Sequence, residues 1–115
     1  MKIIYWNIKG CNHPRKVKTL SRKIKLERPD VLFLQETKCS SEVIEKLREK
    51  IWKGSRVMAI DATGVAGGIV VMWKPGFVDL MEWRAIQLSL MDSFHFLEIG
   101  AKGILVNVYG PNAFP

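Results

Sequence analysis

The chain has 115 residues, with 18 Lys and Arg against 11 Asp and Glu, a formal net charge of +7 and a pI of about 9.7. Apolar residues make up 48% and charged residues 25%, which is typical of a globular domain and excludes a disordered tail, a collagen-like chain and a disulfide-dense miniprotein. The longest run of apolar residues and glycine, 65–73, is too short for the roughly 20 residues that cross a bilayer, so we expect no membrane partner.

The first elements along the chain are predicted to be a strand and a helix. Lys2–Ile8 is a short run rich in apolar, β-branched and aromatic residues, which predicts a buried strand. Pro14 suits the first turn of a helix, where its missing N–H costs nothing. Val17, Leu20 and Ile24 then recur at helical spacing, so they are expected to form the buried stripe of that helix.

Most of the net positive charge lies in and directly beside this first helix. Residues 12–28 hold seven basic residues and one acidic residue, whereas the rest of the chain is close to neutral. Such an asymmetry favours a polyanionic partner, with nucleic acid first and an anionic membrane surface second. A solvated helix face rich in Lys and Arg explains the same charge equally well.

A second strand and a second helix follow. Pro29 ends the first helix, and Val31–Leu34 predicts another buried strand. Ser41 can cap a second helix that ends near Gly54. The apolar stripe of this helix is Val43, Ile44, Leu47 and Ile51. This β-α-β-α order favours an α/β fold over a helical bundle.

The remaining sequence predicts short strands separated by glycine and polar turns, a spacing typical of antiparallel pairing. The predicted turns lie at Gly76, Asp92-Ser93, Gly100 and Gly103. The predicted strands are Arg56–Ile60, Gly68–Trp73, Phe77–Trp83, Ile86–Leu90, Phe94–Ile99 and Ile104–Tyr109.

Two polar residues directly follow predicted buried strands. Asn7 directly follows the apolar run Ile3–Trp6, and Glu36 directly follows Val31–Gln35. In open α/β sheets, ligands bind at the carboxyl ends of the strands. The Glu36 carboxylate, beside Lys38, is a suitable oxygen ligand for Mg²⁺. From spacing alone, a solvated glutamate paired with Lys38 is the simpler interpretation, because one acid does not make a metal site.

Four motifs change that balance. They are WNIKG at 6–10, PDVLFLQETK at 29–38, GG at 67–68 and NVYGPN at 107–112. Their order resembles the endonuclease/exonuclease/phosphatase superfamily, and within it the endonucleases of LINE-type retrotransposons and the apurinic/apyrimidinic endonucleases. The resemblance implies a four-layer α/β sandwich, in which two packed mixed sheets are flanked by helices. We expect 1–115 to be a partial domain, the N-terminal half, with the C-terminal half absent.

The resemblance also implies roles for individual residues. Glu36 matches the family's metal-ligating glutamate, with Mg²⁺ as the cofactor and Mn²⁺ as the alternative. Asn7 matches an asparagine that supports the metal and phosphate network, and Tyr109 a tyrosine that hydrogen-bonds the scissile phosphate. Lys9 replaces an aspartate that apurinic/apyrimidinic endonucleases often have. Asn112 matches an asparagine that helps hold the substrate, and the charges of Lys9, Arg15, Lys16 and Lys38 make these the other expected substrate-binding residues.

Family members continue into a second half with Asp-x-Asn and Ser-Asp-His motifs, which activate the water and act on the phosphate. His13 and His95 match neither motif. We therefore expect the parent domain to perform Mg²⁺-dependent phosphodiester hydrolysis on DNA, and this chain alone to be inactive. An isolated half should also leave a sheet face uncovered, including Ile69, Val71 and part of 104–108.

Three alternatives stay open: an RNA phosphodiesterase, a lipid or inositol phosphatase of the same superfamily, and a non-catalytic nucleic-acid-binding remnant. The expected partners are DNA and a separate C-terminal half of the domain. The short apolar run at the N-terminus does not fit a secretory signal. We therefore expect an intracellular protein, which would be nuclear if it derives from a retrotransposon.

Overall fold

The elements of the chain form two sheets and two helices in a computed structural model, which describes residues 2–10, 13–60, 68–86 and 89–108. None of the helices in these ranges is long and apolar enough to span a bilayer. In chain order the elements are β1 (Ile3–Asn7), α1 (Pro14–Glu27), β2 (Val31–Gln35), α2 (Ser41–Ile51), β3 (Arg56–Ile60), β4 (Ile69–Trp73), β5 (Val78–Ile86), β6 (Ser89–Phe96) and β7 (Ala101–Val108).

The first sheet has the strand order β1-β2-β4-β3. β1 and β2 run parallel, whereas β4 is antiparallel to both of its neighbours, so the sheet is mixed. Every residue of β2 and β4 is buried. These central strands have continuous apolar sequences because both faces of the sheet are covered.

The two helices pack on one face of the first sheet, where they bury the apolar stripes that the sequence predicts. Pro14 is the first residue of α1, and its fixed φ suits that position. The helix ends at Arg28, whose left-handed conformation lets its N–H donate to the Ile24 carbonyl. The fully buried members of this core are Ile8, Leu20, Ile24, Leu32, Leu34, Ile44, Leu47, Ile51, Val70 and Met72.

The cap of α2 lies one residue earlier than predicted. Ser40, not Ser41, is the N-cap, and its hydroxyl accepts a hydrogen bond from the Val43 N–H at 3.3 Å. Both serines have a hydroxyl that can cap a helix, and their backbone conformations show which of them does so. Ser40 is extended, whereas Ser41 is the first residue with helical geometry.

This correction predicts different effects for two neighbouring serines. Ser40→Ala removes the only side-chain acceptor that the described residues offer to the Val43 N–H, so we expect it to lower the free energy of unfolding by about 1 kcal/mol. Ser41→Ala is the matched control and should change it by less than about 0.5 kcal/mol. Urea titrations followed by circular dichroism measure both values. Equal losses in the two variants would contradict the assignment of the cap.

A second, three-stranded antiparallel sheet, in the order β5-β6-β7, covers the other face of the first sheet. The core between the sheets contains Val31, Phe33, Val71, Trp73, Val78, Phe94 and Phe96. The Phe94 ring meets Trp73 edge-on with its centroid 6.3 Å away and stacks on Phe96 at 6.1 Å. The chain therefore has three layers, helices, sheet and sheet, which confirms an α/β partial sandwich.

The second sheet corrects the predicted strand count after Gly76. Asp92 and Ser93 lie inside β6 rather than in a turn, and the turn is at residues 97–100, where Gly100 has a φ of 65°. Gly103 lies inside β7, opposite Phe94. A Cβ on this glycine would come within 2.7 Å of the Phe96 ring, so its role is close packing. Three strands therefore replace the four predicted ones.

The expected uncovered sheet face is only partly correct. Ile69 and Val71 are buried, because the second sheet packs over the face of β4 that they occupy. Ile104 and Val106 remain 64% and 52% exposed on the outward face of β7. Among the described residues, uncovered apolar side chains therefore lie on the second sheet and also on β1 of the first, where Ile3 and Tyr5 are exposed.

Candidate active site

Asn7 and Glu36 lie at the same edge of the first sheet. β1 and β2 are parallel and Asn7 is in register with Gln35, so both strands end together and Glu36 follows directly. The Ile8 N–H donates to the Gln35 carbonyl at 3.1 Å, and the Gly10 N–H donates to the Glu36 carbonyl at 2.6 Å. These bonds hold the two loops side by side, as the strand-end argument predicts.

The glycine motif reaches the same edge from the other side of β2. β4 is antiparallel to β2 and begins at Ile69, which is in register with Gln35. Gly68, just before it, is buried and has a φ of 84°, a conformation that favours glycine. Residues of the first three motifs therefore meet at this edge, while Gly67 of the third lies outside the described residues. Of the fourth, Tyr109 and Asn112 lie outside the described residues.

The loops at this edge adopt unusual backbone conformations. Lys9, Glu36 and Lys38 have φ values of 48°, 53° and 53°, in the left-handed region that residues with a Cβ rarely occupy. Lys9 is supported by its neighbour, because the Asn7 Oδ1 accepts a hydrogen bond from the Lys9 N–H at 3.3 Å. Such conformations cost of order 1–3 kcal/mol each and cluster at functional sites.

Exposed cations surround this edge. Lys9 and Lys38 are exposed in the two loops, and Arg15 and Lys16 are exposed in the first turn of α1. The Lys16 Nζ donates to the Lys9 carbonyl at 2.7 Å, which holds its ammonium beside the loop after β1. Of the five predicted substrate-binding residues, Lys9 and Lys38 lie in the loops that carry Asn7 and Glu36, and Lys16 is bonded to the first of these loops. Arg15 lies in the first turn of α1, and Asn112 falls outside the described residues.

Glu36 is the candidate metal ligand at this edge, and its side chain is half-buried. Within the described ranges, no group of three or more His, Cys, Asp or Glu residues is arranged to hold a metal ion. Mg²⁺ commonly uses one or two protein carboxylates and fills its remaining positions with water and substrate phosphate. The donor set present here fits one protein ligand of such a site.

Cys11 and Cys39 are far apart in sequence and have no CxxC partner, a pattern that predicts buried or bystander thiols rather than a zinc site or a disulfide framework. Cys39, three residues after Glu36, differs from this prediction. It is disulfide-bonded. Sequence spacing alone gives no distance between Cys11 and Cys39, and Cys11 lies outside the described residues. The hydrogen bond from Gly10 to Glu36 shows that the loops preceding these positions run side by side.

Asp92 is a titratable residue that the sequence reasoning placed in a turn. Its side chain is fully buried in β6, and neither carboxylate oxygen has a hydrogen-bond partner among the residues that the structure describes. Loss of hydration raises its pKa from 3.8 to about 7. The alternation of side chains along a strand could have predicted this burial, because Asp92, Phe94 and Phe96 are two residues apart and lie on the same inward face of β6.

Comparison with known families decides what this fold is. A model described as the Endonuclease/Exonuclease/phosphatase family matches residues 4–112. The chain belongs to this family. The resemblance seen in the four motifs is thereby confirmed for the superfamily, whose members hydrolyse phosphate esters. A search of the curated proteins finds no match.

Solved structures of the family share the fold at low sequence identity. A mannosyl-6-phosphatase from Bacteroides thetaiotaomicron superposes with a TM-score of 0.70 at 10% identity, over 92% of this chain and 50% of its own. D. rerio TDP2, complexed with a single strand DNA product, superposes with a TM-score of 0.68 at 19% identity, over 96% of this chain and 47% of its own. The AP endonuclease LMAP from Leishmania major superposes with a TM-score of 0.68 at 20% identity, over 93% of this chain and 39% of its own. The chain thus spans half or less of the length of these three family structures.

Proposed function

We propose that the chain forms part of a Mg²⁺-dependent nuclease domain that hydrolyses a phosphodiester bond in DNA. The observation that supports this most is the meeting of Asn7 and Glu36 at one sheet edge, between loops that carry Lys9 and Lys38. A carboxylate for a cation, a neutral amide and several ammonium groups suit a substrate whose charge is on phosphate. The cationic surroundings favour a polyanion over a small neutral ester.

Each residue has a distinct role in this proposal. Glu36 holds Mg²⁺, which when bound would stabilise negative charge on the phosphoryl oxygens. Asn7 fixes the loop after β1 through its bond to the Lys9 N–H, and so positions the Lys9 and Lys16 ammonium groups. Lys38 and Lys9 attract and orient the phosphate. Tyr109 and Asn112 are assigned to the substrate from the family motif.

The chain is proposed to need a further polypeptide segment for activity. The three family structures compared above are about 1.8 to 2.4 times as long as this chain. β1 is an edge strand of the first sheet, and its Ile3 and Tyr5 side chains are 41% and 50% exposed. An apolar edge strand of this kind offers its backbone groups to an added strand. A C-terminal half of the domain that carries the water-activating groups is the occupant we propose for this edge.

A plasmid-nicking assay tests both parts of the proposal. The 115-residue chain with Mg²⁺ should not nick supercoiled DNA faster than buffer alone does. The chain combined with the C-terminal half of a family member's domain should nick it. Losing one oxyanion-stabilising group already costs a factor of about 10²–10³, so the absence of a whole set should abolish detectable turnover. Nicking by the isolated monomer would contradict the proposed dependence, and no nicking by any combination would contradict the nuclease.

A second candidate function is non-catalytic nucleic-acid binding, and the surface of α1 supports it. Six cationic side chains of the helix are exposed and lie off its apolar stripe. This basic face consists of Arg15, Lys16, Lys18, Arg22, Lys23 and Lys25. A remnant of the retrotransposon branch, acting in the nucleus, would retain this face even without turnover.

The basic face predicts a strong salt dependence of DNA binding. At 100° per residue, Lys16 and Lys23 lie on one flank of α1 and Lys18 and Lys25 on the other. The Lys16 flank is the one next to Lys9. We expect Lys16→Ala/Lys23→Ala to reduce the slope of log K against log salt by about 1.8 for duplex DNA, at about 0.9 per lost phosphate contact.

Lys18→Ala/Lys25→Ala is the matched control, because it removes the same charge from the same helix. Its slope should stay within about 0.5 of the unsubstituted chain. Fluorescence anisotropy with a labelled duplex, at 50 to 200 mM salt, measures each slope. Binding that does not respond to salt would exclude the basic face as the DNA contact, and equal losses in both pairs would exclude the assigned flank.

A further inference from the structure

An apolar cavity of about 240 Å³ opens beside the edge strand β1, on the helix side of the first sheet. Its floor is formed by core side chains directly after β1, on α1 and on α2: Ile8, Leu20 and Leu47 are 6%, 2% and 5% exposed. Trp6 and Val17 also line it. The cavity therefore reaches from the surface to the interior core between the helices and the sheet.

The size of the cavity indicates a ligand with a ring. Protein interiors leave few voids larger than a water molecule, and an unfilled apolar cavity destabilises the fold in proportion to its volume. An apolar cavity of about 150 Å³ is large enough to bind benzene. The larger volume here suits a somewhat bigger ring system, and the Trp6 indole supplies an aromatic surface for it.

The rim of the cavity is cationic. Lys9 and Lys16 line it and are both exposed, and none of the described residues lining it is acidic. The Lys16 Nζ is held by the Lys9 carbonyl at 2.7 Å, which leaves two of its three N–H donors for a ligand. An apolar interior with two ammonium groups at its mouth is complementary to a flat apolar body that carries an anion.

We propose that this cavity binds the base of a nucleotide, with Lys9 and Lys16 holding the attached phosphate. The proposal rests on the proposed function, because Asn7 lines the cavity and also lies at the edge shared with Glu36. A nucleotide joins a ring and a phosphate in one unit, which is the combination that the interior and the rim require. A free mononucleotide and the end of a DNA strand both supply it.

Methyl NMR of the 115-residue chain in EDTA tests this without any hydrolysis. Titration with dAMP should shift the methyl signals of Val17, Leu20 and Leu47 in a saturable way. Deoxyadenosine, which lacks the charge, and deoxyribose 5-phosphate, which lacks the base, should each bind at least tenfold more weakly. Methyl signals that do not move with dAMP, or that move equally with hexyl phosphate, would overturn the proposal.

Two sets of variants locate the binding. Val17→Trp places a ring inside the cavity, so it should weaken dAMP binding at least tenfold while the amide spectrum keeps its dispersion. Lys9→Ala/Lys16→Ala tests the rim without altering the core, and it should weaken binding by a similar factor. Lys25→Ala, on the far flank of α1, is the control and should leave it unchanged. If Val17→Trp does not fold, the rim variant still tests the proposal. Binding of dAMP to Lys9→Ala/Lys16→Ala as tight as to the unsubstituted chain would overturn it.

A last comparison separates the two sources and the two proposals. A short DNA strand with a 5′-phosphate should shift the same methyl signals. It should bind more tightly than dAMP if the cavity holds a strand end, and no more tightly if the cavity holds a free nucleotide. Glu36→Gln should still bind dAMP, because Glu36 does not line the cavity. Retained methyl shifts with no nuclease activity in any combination would therefore contradict the proposed function and leave the cavity assignment standing.

Discussion

Replacing Asp92 with asparagine is expected to raise the free energy of unfolding at pH 8 by up to about 4 kcal/mol and to change it much less at pH 4. Burial raises the pKa of the Asp92 carboxyl from 3.8 to about 7 in the folded chain. The unfolded chain therefore loses this proton near pH 4, whereas the folded chain retains it until about pH 7. Between these values the unfolded state binds fewer protons, so stability falls as pH rises, and above pH 7 the penalty is constant.

The measurement is a series of urea titrations between pH 4 and pH 8.5, followed by tryptophan fluorescence. The unsubstituted chain should lose stability across this range, and Asp92→Asn should remove most of that loss, because an amide has no charge to bury. Asp79→Asn is the control, since Asp79 is exposed on β5 in the same sheet. An unchanged pH dependence in Asp92→Asn would show that Asp92 is not the group responsible.

Asp92 also illustrates which parts of the fold could be predicted from the sequence. The elements β1, α1, β2 and α2 follow local rules: the spacing of Val17, Leu20 and Ile24 and the position of Pro14 belong to one helix and need no partner to be recognised. In the second sheet, a polar residue usually marks a turn. Asp92 violates that rule because its strand pairs on both sides, with Trp83 on β5 and Leu105 on β7, and sequence-distant pairing overrides local preference.

The features of the candidate site also fall into those that could be predicted from the sequence and those that could not. Asn7 and Glu36 could be brought together from the sequence, because parallel strands end at a common edge and each residue lies at the carboxyl end of a predicted strand. The contact between Lys16 and the Lys9 carbonyl and the cavity above Leu20 and Leu47 could not. Both depend on how far α1 stands from the sheet, which is decided by packing across three elements.

Glu36→Gln has the largest expected effect on the proposed chemistry. Glutamine keeps the shape of glutamate and removes its charge, so it should weaken cation binding at this edge by about tenfold or more. In the 115-residue chain, paramagnetic Mn²⁺ should broaden the amide signals of Lys9, Gly10 and Lys38, which lie in the two loops joined by the bond from Gly10 to Glu36. The same substitution in an active assembly with the C-terminal half should lower turnover by about 10²–10³.

Glu42→Gln provides the matched control, because Glu42 is an exposed carboxylate in the first turn of α2, near the same loop in sequence. It should leave both the broadening and the turnover unchanged. An intact amide spectrum for Glu36→Gln must accompany its loss of broadening, since unfolding would also remove the signal changes. Broadening that persists in Glu36→Gln, or that Glu42→Gln removes equally, would place the cation elsewhere and exclude Glu36 as its ligand.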